Sequence, residues 1–224
     1  MAFVIGIDLG TQSVKAVRCD EAFRVVAEHR VPIETAHPRP GWAEQQPEAW
    51  VAAAIEALAA VGTGEIAAIG VAGQLDGCVA VDASDRALAP ALIWQDRRAT
   101  AEAALAEPAR VHAITGQVAD ASHMAAKLRW LRDHGPRAAR YHQPTSYVVA
   151  RLTGAHVLDA AHASTTMLYD LAARAWSPEL LAAFAIDPAW LPRIAPACSI
   201  AGEHAGIPVA VGTGDDFATP LGAG

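Results

Sequence analysis

The sequence predicts an α/β fold in which a strand meander precedes a helix and a buried strand. Three short apolar segments, separated by polar turns, have the alternation typical of strands. They cover residues 3–8, 13–18 and 24–31. Residues 47–60 then carry apolar side chains at helical spacing behind Pro47, which suits a first helical turn. The apolar segment 66–72 predicts a buried strand.

The second half of the chain adds a helix-rich insertion. The segment from residue 97 to about 144 contains several helical patterns, including an amphipathic helix that ends at residues 134–136. The proline-rich segment 187–208 predicts an irregular loop. A final strand at residues 208–211 leads directly into the glycine-rich segment 212–216.

Composition and charge exclude several classes of protein. The chain has 224 residues, 53% of them hydrophobic, so it can bury a sizeable core. Its 17 basic and 24 acidic residues give a formal charge of −7, which argues against nucleic acid or an anionic membrane as the main partner. The three cysteines have no CxxC spacing, and the sequence has no secretion signal or long apolar run. We therefore expect a reduced, cytoplasmic protein.

The first candidate site follows the first predicted strand. Its members are Asp8, Gly10, Thr11, Gln12, Ser13 and Lys15. A carboxylate followed by glycine and hydroxyl residues in a turn suits a phosphate and its magnesium ion, with Asp8 as the metal ligand and Gly10 allowing close backbone approach. Lys15 either adds positive charge or is solvated. The motif alone is equally compatible with a hairpin turn that binds nothing.

The second candidate site follows the buried strand. Its members are Gln74, Leu75, Asp76, Trp94 and Asp96. Loops at the carboxyl ends of such strands commonly present polar side chains to a ligand, and Asp76 could accept hydrogen bonds from hydroxyl groups. The alternative for Asp96 is a helix start at which it caps the helix and pairs with the neighbouring arginines.

The third candidate site is the segment Gly212-Thr213-Gly214-Asp215-Asp216. A strand that runs into a tight glycine-containing turn can point a carboxylate into a cleft. Asp215 is the candidate catalytic base, because phosphorylation of an alcohol needs a base within hydrogen-bond reach of the hydroxyl. Asp216 is expected to cap a helix instead.

Together these motifs resemble those of the FGGY family of carbohydrate kinases. The segment 5–15 is similar to the phosphate-binding motif of the actin, Hsp70 and sugar kinase superfamily, and residues 94–98 are similar to the Trp-x-Asp-x-Arg segment of FGGY kinases. The resemblance implies an α/β, ribonuclease-H-like N-terminal, sugar-binding domain with a helical insertion, covering residues 1–224.

The resemblance also implies an activity, namely ATP-dependent phosphorylation of a xylulose-like pentulose or related polyol with Asp215 as base and Mg²⁺ at Asp8. Asp76 stands where xylulokinases carry histidine and glycerol kinases carry glutamate. Ser122 stands where glycerol kinases carry an aromatic residue that faces the substrate, so it is a further substrate candidate.

Complete FGGY kinases have a second, nucleotide-binding domain, and its motifs are absent from residues 1–224. We therefore expect this chain to be inactive alone and to take a C-terminal kinase half or a second copy of itself as a partner. One alternative is a non-catalytic sugar-binding or regulatory fragment. Another is an actin- or Hsp70-like ATPase, which would share the first motif but not the other two.

Overall fold

The computed structural model describes residues 2–62 and 64–223. The strands are β1 (Phe3–Leu9), β2 (Ser13–Cys19), β3 (Val25–Pro32), β4 (Glu44–Gln45), β5 (Ile66–Gly73), β6 (Val79–Val81), β7 (Ala91–Leu92), β8 (Arg140–His142), β9 (Val157–Leu158), β10 (Tyr169–Asp170), β11 (Ala175–Trp176), β12 (Arg193–Ile194), β13 (Ile200–His204), β14 (Ile207–Ala210) and β15 (Thr213–Gly214). The helices are α1 (Pro47–Val61), α2 (Thr100–Ala103), α3 (Pro108–Thr115), α4 (Met124–His134), α5 (Pro144–Thr153), α6 (Ala160–Ser164), α7 (Pro178–Ala183) and α8 (Asp215–Ala223), with a 3-10 turn at Pro188–Trp190.

The central sheet brings three strand ends together. Its order is β13-β14-β5-β1-β2-β3, and β15 also pairs with β5. Strands β1, β2 and β3 form the predicted antiparallel meander, whereas β1 and β15 run parallel to β5. At the carboxyl ends, Gly73 pairs with both Leu9 and Gly214. The loops that follow β1 and β5, and helix α8, which follows β15, therefore begin side by side at one edge of the sheet.

Three clusters of buried apolar side chains support this arrangement, and two of them are large. The first lies between the sheet and helices α1 and α5, and it includes the fully buried Trp50. The second joins the helical insertion to the region of α7 and includes Met124, Leu128 and Phe184. The predicted amphipathic helix is confirmed as α4, which ends at His134. Among the described helices, none combines the length and the apolar character needed to cross a membrane.

The prediction of an irregular loop over residues 187–208 is wrong in part. Strand β13 pairs antiparallel with β14 at the edge of the central sheet, and β12 pairs with β9. The pattern of β13 is weak because Ile200 is exposed and Gly202 lies close to Thr153 at the end of α5. Pairing with β14 and contact with α5 specify this strand, rather than its own apolar alternation.

Candidate functional site

The loops after β1 and β5 and the start of α8 meet the helical insertion at a cleft of about 490 Å³. The cleft is lined by Thr11, Gln74, Leu75, Asp76, Trp94, Gln117, Thr165, Asp215 and Asp216. The lining therefore draws residues from all three predicted sites. Pairing of β1 and β15 with β5 accounts for this, since parallel strands end at the same edge of a sheet.

Asp215 is the carboxylate of the cleft with a raised pKa. Burial raises the pKa of Asp215 above its usual range, and the nearby negative charges of Asp216 and Asp8 raise it further. The side chain accepts a hydrogen bond from the Asp216 amide at 3.0 Å. Helix α8 begins at Asp215, so Asp216 lies inside its first turn rather than at the expected cap position. The arrangement gives one half-buried carboxylate that can accept a proton.

The first predicted site forms a tight hairpin beside Asp215. The Gly10 amide donates to the Ser13 carbonyl at 3.0 Å, and a side chain at Gly10 would approach that carbonyl to 3.3 Å. Asp8 lies opposite Lys15 in the antiparallel register of β1 and β2. The Thr11 hydroxyl accepts a hydrogen bond from Trp94 at 3.0 Å, which links the hairpin to the second site.

The remaining members of the hairpin lie around this turn. Gln12 is exposed and its carbonyl accepts the Ile33 amide at 2.9 Å, while Ser13 begins β2. Thr11 is the member of the first site that lines the cleft. The hairpin therefore presents its turn to the cleft and Asp8 to the edge of the sheet near Asp215.

The loop after β5 carries acceptors that the described residues leave unpaired. Gln74 donates to the side chain of Gln45 at 3.0 Å, and the Asp76 amide donates to Gln143 at 3.0 Å. Among residues 2–62 and 64–223, Gln74 Oε1 and Asp76 Oδ1 have no hydrogen-bond partner. A buried acceptor without a donor is costly, so these two atoms favour a ligand that brings hydroxyl or amine donors.

His123 is a contact of Asp76 that sequence reasoning missed. Its Nδ1 lies 3.2 Å from Asp76 Oδ2, and its Nε2 lies 3.1 Å from the Val118 carbonyl. Both partners are acceptors, so the doubly protonated imidazolium satisfies both contacts. Burial alone would lower the pKa of His123, but the Asp76 carboxylate outweighs it and holds this pKa above its usual range.

Lys127 holds the loop after β5 in place from inside the protein. Its ammonium group is fully buried and donates to the carbonyl of Asp76 at 2.7 Å and to the carbonyl of Ser122. Burial lowers the pKa of Lys127 to about 8. The lysine therefore ties the start of α4 to the loop after β5. Ser122 contributes its backbone to this arrangement, and its side chain is not among the described groups that line the cleft.

Trp94 and Asp96 have different positions, although they are neighbours in sequence. Trp94 is 43% exposed and lines the cleft. Asp96 is fully buried, accepts the Ala43 amide at 2.7 Å and pairs with Arg98 at 2.7 Å. The expectation that Asp96 approaches a substrate is therefore wrong, because its acceptor atoms are occupied inside the protein. Arg98 is held in turn against the Trp42 ring, 3.5 Å from its centroid.

Comparison with known proteins identifies the family. The model of the FGGY family of carbohydrate kinases, N-terminal domain, matches residues 3–223. The chain belongs to this family. It is 35% identical to the xylulose kinase of Escherichia coli (strain K12), covering 98% of this chain and 50% of that relative. It is 36% identical to the glycerol kinase of Methylibium petroleiphilum, covering 99% and 50%. The chain thus spans about half the length of the curated relatives it matches.

Solved structures agree with this assignment. A xyloylose kinase from Brucella ovis superposes with a TM-score of 0.90 at 35% identity, covering 96% of this chain and 48% of that one. The xylulose kinase from Rhodospirillum rubrum superposes with a TM-score of 0.91 at 29% identity, covering 99% and 51%. The predicted α/β fold of the sugar kinase superfamily is therefore confirmed.

Two more lining residues of this FGGY domain come from outside the three predicted sites. Gln117 follows α3, and Thr165 follows α6. Gln117 is held by a hydrogen bond to the Ser164 carbonyl at 3.2 Å. Neither residue was among the predicted site residues, although Thr165 lies in a segment, residues 163–170, whose sequence resembles one of the FGGY family. Residues beyond the three predicted sites therefore complete the lining of the cleft.

Proposed function

We propose that this domain binds the acceptor alcohol of an ATP-dependent carbohydrate kinase and supplies Asp215 as the catalytic base. The acceptor is a pentulose, as in xylulose, or a related polyol. The observation that carries the proposal is the position of Asp215 in a cleft that it shares with Gln74, Asp76 and Trp94. Family membership and the xylulose and glycerol kinases among the relatives support the reaction class.

The chemistry of the lining supports a polyhydroxylated ligand. The unpaired acceptors Gln74 Oε1 and Asp76 Oδ1 need donors, and each sugar hydroxyl can provide one. Trp94 adds an apolar ring surface against which the C–H face of a sugar can pack. The net effect is a site with acceptors at its base and an aromatic wall, which suits an alcohol better than an anion.

Asp215 would act by proton abstraction. As the substrate hydroxyl oxygen forms its bond to the γ-phosphorus of ATP, the bond from that phosphorus to ADP breaks and the hydroxyl proton moves to the Asp215 carboxylate. The raised pKa of Asp215 makes it a better proton acceptor than an exposed aspartate. Asp215 is the first residue of α8, so the helix fixes the position of its backbone.

The residues near Asp215 fit Mg²⁺ and a nucleotide phosphate. Asp8 lies close enough to Asp215 to raise its pKa, and two carboxylates at one edge of a sheet favour a hard divalent cation. Asp8 would hold Mg²⁺, and the turn at Gly10 and Thr11 would approach the phosphates, with Gln12, Ser13 and Lys15 around it. The ion would supply neutralisation of the charge on the transferring phosphoryl group.

Sugar-dependent ADP release tests the proposal, with this domain joined to the nucleotide-binding half of a related xylulose kinase. We expect Asp215→Asn to lower kcat by about 10²–10⁴-fold, the usual contribution of a general base. The Kd for the sugar should stay within about threefold. The matched control is Asp216→Asn, which changes the adjacent exposed carboxylate and should preserve turnover.

Each outcome of this assay is informative. Turnover retained by the Asp215→Asn protein would remove Asp215 from the role of base. Loss of sugar binding in the same variant would make Asp215 a binding residue instead. Sugar binding by the unmodified protein without any ADP release would favour a non-catalytic sugar-binding domain.

A further inference from the structure

A cluster of metal-ligating side chains lies on elements that the cleft does not use. Asp85 lies in the turn between β6 and β7, His142 ends β8, and His156 directly precedes β9. His142 Nε2 is 3.3 Å from His156 Nδ1, and His156 Nε2 is 3.6 Å from Asp85 Oδ2. One potential ligand atom from each residue lies within 4.8 Å of the other two.

The hydrogen bonds around His142 fix which of its nitrogens is free. The Ser146 hydroxyl donates to the Val157 carbonyl at 2.7 Å, so it accepts from His142 Nδ1–H at 2.8 Å. The Nε2 of His142 therefore carries a lone pair, and this lone pair faces His156. A histidine ligand whose second nitrogen is held by a hydrogen bond is the usual arrangement in metal sites.

His156 stands between the other two residues. It faces the His142 lone pair with one nitrogen and the Asp85 carboxylate with the other, so the three side chains converge on one small region.

We propose that Asp85, His142 and His156 form a binding site for a divalent transition-metal ion of the Zn²⁺ class. Two nitrogens bound to one tetrahedral Zn²⁺ at about 2.0–2.1 Å lie about 3.3 Å apart. This separation equals the observed distance between His142 Nε2 and His156 Nδ1. Two imidazoles and a carboxylate are also a ligand set that Zn²⁺ accepts.

The surroundings define the rest of the site. Asp85 and His156 are partly exposed, so solvent reaches the fourth coordination position. Asp85 uses its other oxygen to accept from Arg140 at 3.2 Å, which orients the carboxylate toward His156. A bound ion would join His156, next to β9, to the turn after β6 and to β8, which already pairs with β6. The site goes beyond the proposed kinase function and uses none of its residues.

Metal titration of the untagged, metal-free chain tests this inference. Co²⁺ binding is followed by visible absorption and Zn²⁺ binding by calorimetry. We expect one equivalent to bind and the melting temperature to rise with metal concentration. His156→Ala and Asp85→Asn should each weaken metal binding at least about tenfold. Ser146→Ala should also weaken it by about tenfold or more, because the Ser146 hydroxyl orients the His142 ring.

Controls separate a built site from incidental histidine binding. His112→Ala removes an exposed histidine on α3 and should bind metal as the unmodified chain does. His142 is fully buried, so the test relies on the more accessible His156 and Asp85. Circular dichroism confirms that each variant is folded. The inference is overturned if the unmodified chain binds no stoichiometric metal, or if His156→Ala binds it with unchanged affinity.

Discussion

Replacing Asp96 with asparagine should destabilise the domain without weakening sugar binding. The Asp96 carboxylate is fully buried and is paired with Arg98, whose side chain is 3% exposed. Loss of one partner of a buried pair usually costs about 3–5 kcal/mol, because the other charge is left in a low-dielectric environment. Glu44 still contacts Arg98 at 2.7 Å, so we expect the lower end, about 3 kcal/mol. For a domain of this size that corresponds to a fall in Tm of about 6–12 °C.

Urea unfolding followed by tryptophan fluorescence measures this loss, and calorimetry at a temperature where both proteins are folded measures the sugar affinity. We expect the Kd of the Asp96→Asn protein to stay within about threefold of the unmodified value. Trp94→Ala is the matched contrast, since Trp94 lines the cleft and is 43% exposed. It should weaken sugar binding at least about tenfold and cost only about 1 kcal/mol of stability. An Asp96→Asn protein with unchanged stability and a tenfold weaker Kd would refute the reasoning.

Two further predictions concern the backbone beside Asp215 and the charge beside Asp76. Gly212 has φ of +83°, and a Cβ there would lie 2.2 Å from the Val71 carbonyl oxygen. Gly212→Ala should therefore lower the urea midpoint by the equivalent of at least about 2 kcal/mol, whereas Gly154→Ala, with φ of +77° and open space around it, should cost about 1 kcal/mol. Equal urea midpoints for the two variants would contradict the predicted steric clash at Gly212. Because the folded pKa of His123 is raised, its pair with Asp76 stabilises the domain fully below about pH 6.5 and loses this effect as pH rises through the folded pKa. His123→Gln should thus lower the free energy of unfolding more at pH 6 than at pH 9, and a pH-independent difference would contradict the pairing.

Elements with strong apolar periodicity were predictable from the sequence. Strand β1 and helix α1 match the predicted segments to within one residue at each end, because both bury one face in the same core. Strand β13 was not predictable, since its apolar positions are partly exposed and its pairing partner β14 specifies it. Local pattern predicts burial well only where the element itself supplies most of the buried surface.

The candidate site was likewise predictable from the sequence only in part. The segments that follow β1, β5 and β15 could be expected to converge once these strands were placed in one sheet, and the cleft contains residues from each. Asp96 and Trp94 carry the same kind of sequence signal, and only the tertiary contacts of Asp96 with Ala43 and Arg98 distinguish them. His123 comes from the insertion as a single residue with no motif around it, so its contact with Asp76 required the structure.

Calorimetric titration of this chain with D-xylulose, related ketopentoses and glycerol tests the central claim most directly. Asp76 has φ of +58°, a conformation that asparagine tolerates, so Asp76→Asn changes the charge with little backbone strain. A hydrogen bond to a charged acceptor contributes about 1.5–3 kcal/mol, which corresponds to at least about tenfold in Kd. We predict that at least one of these alcohols binds and that Asp76→Asn weakens it by this factor. Absence of binding to every alcohol, or an unchanged Kd in the variant, would contradict the assignment of the cleft as the sugar site.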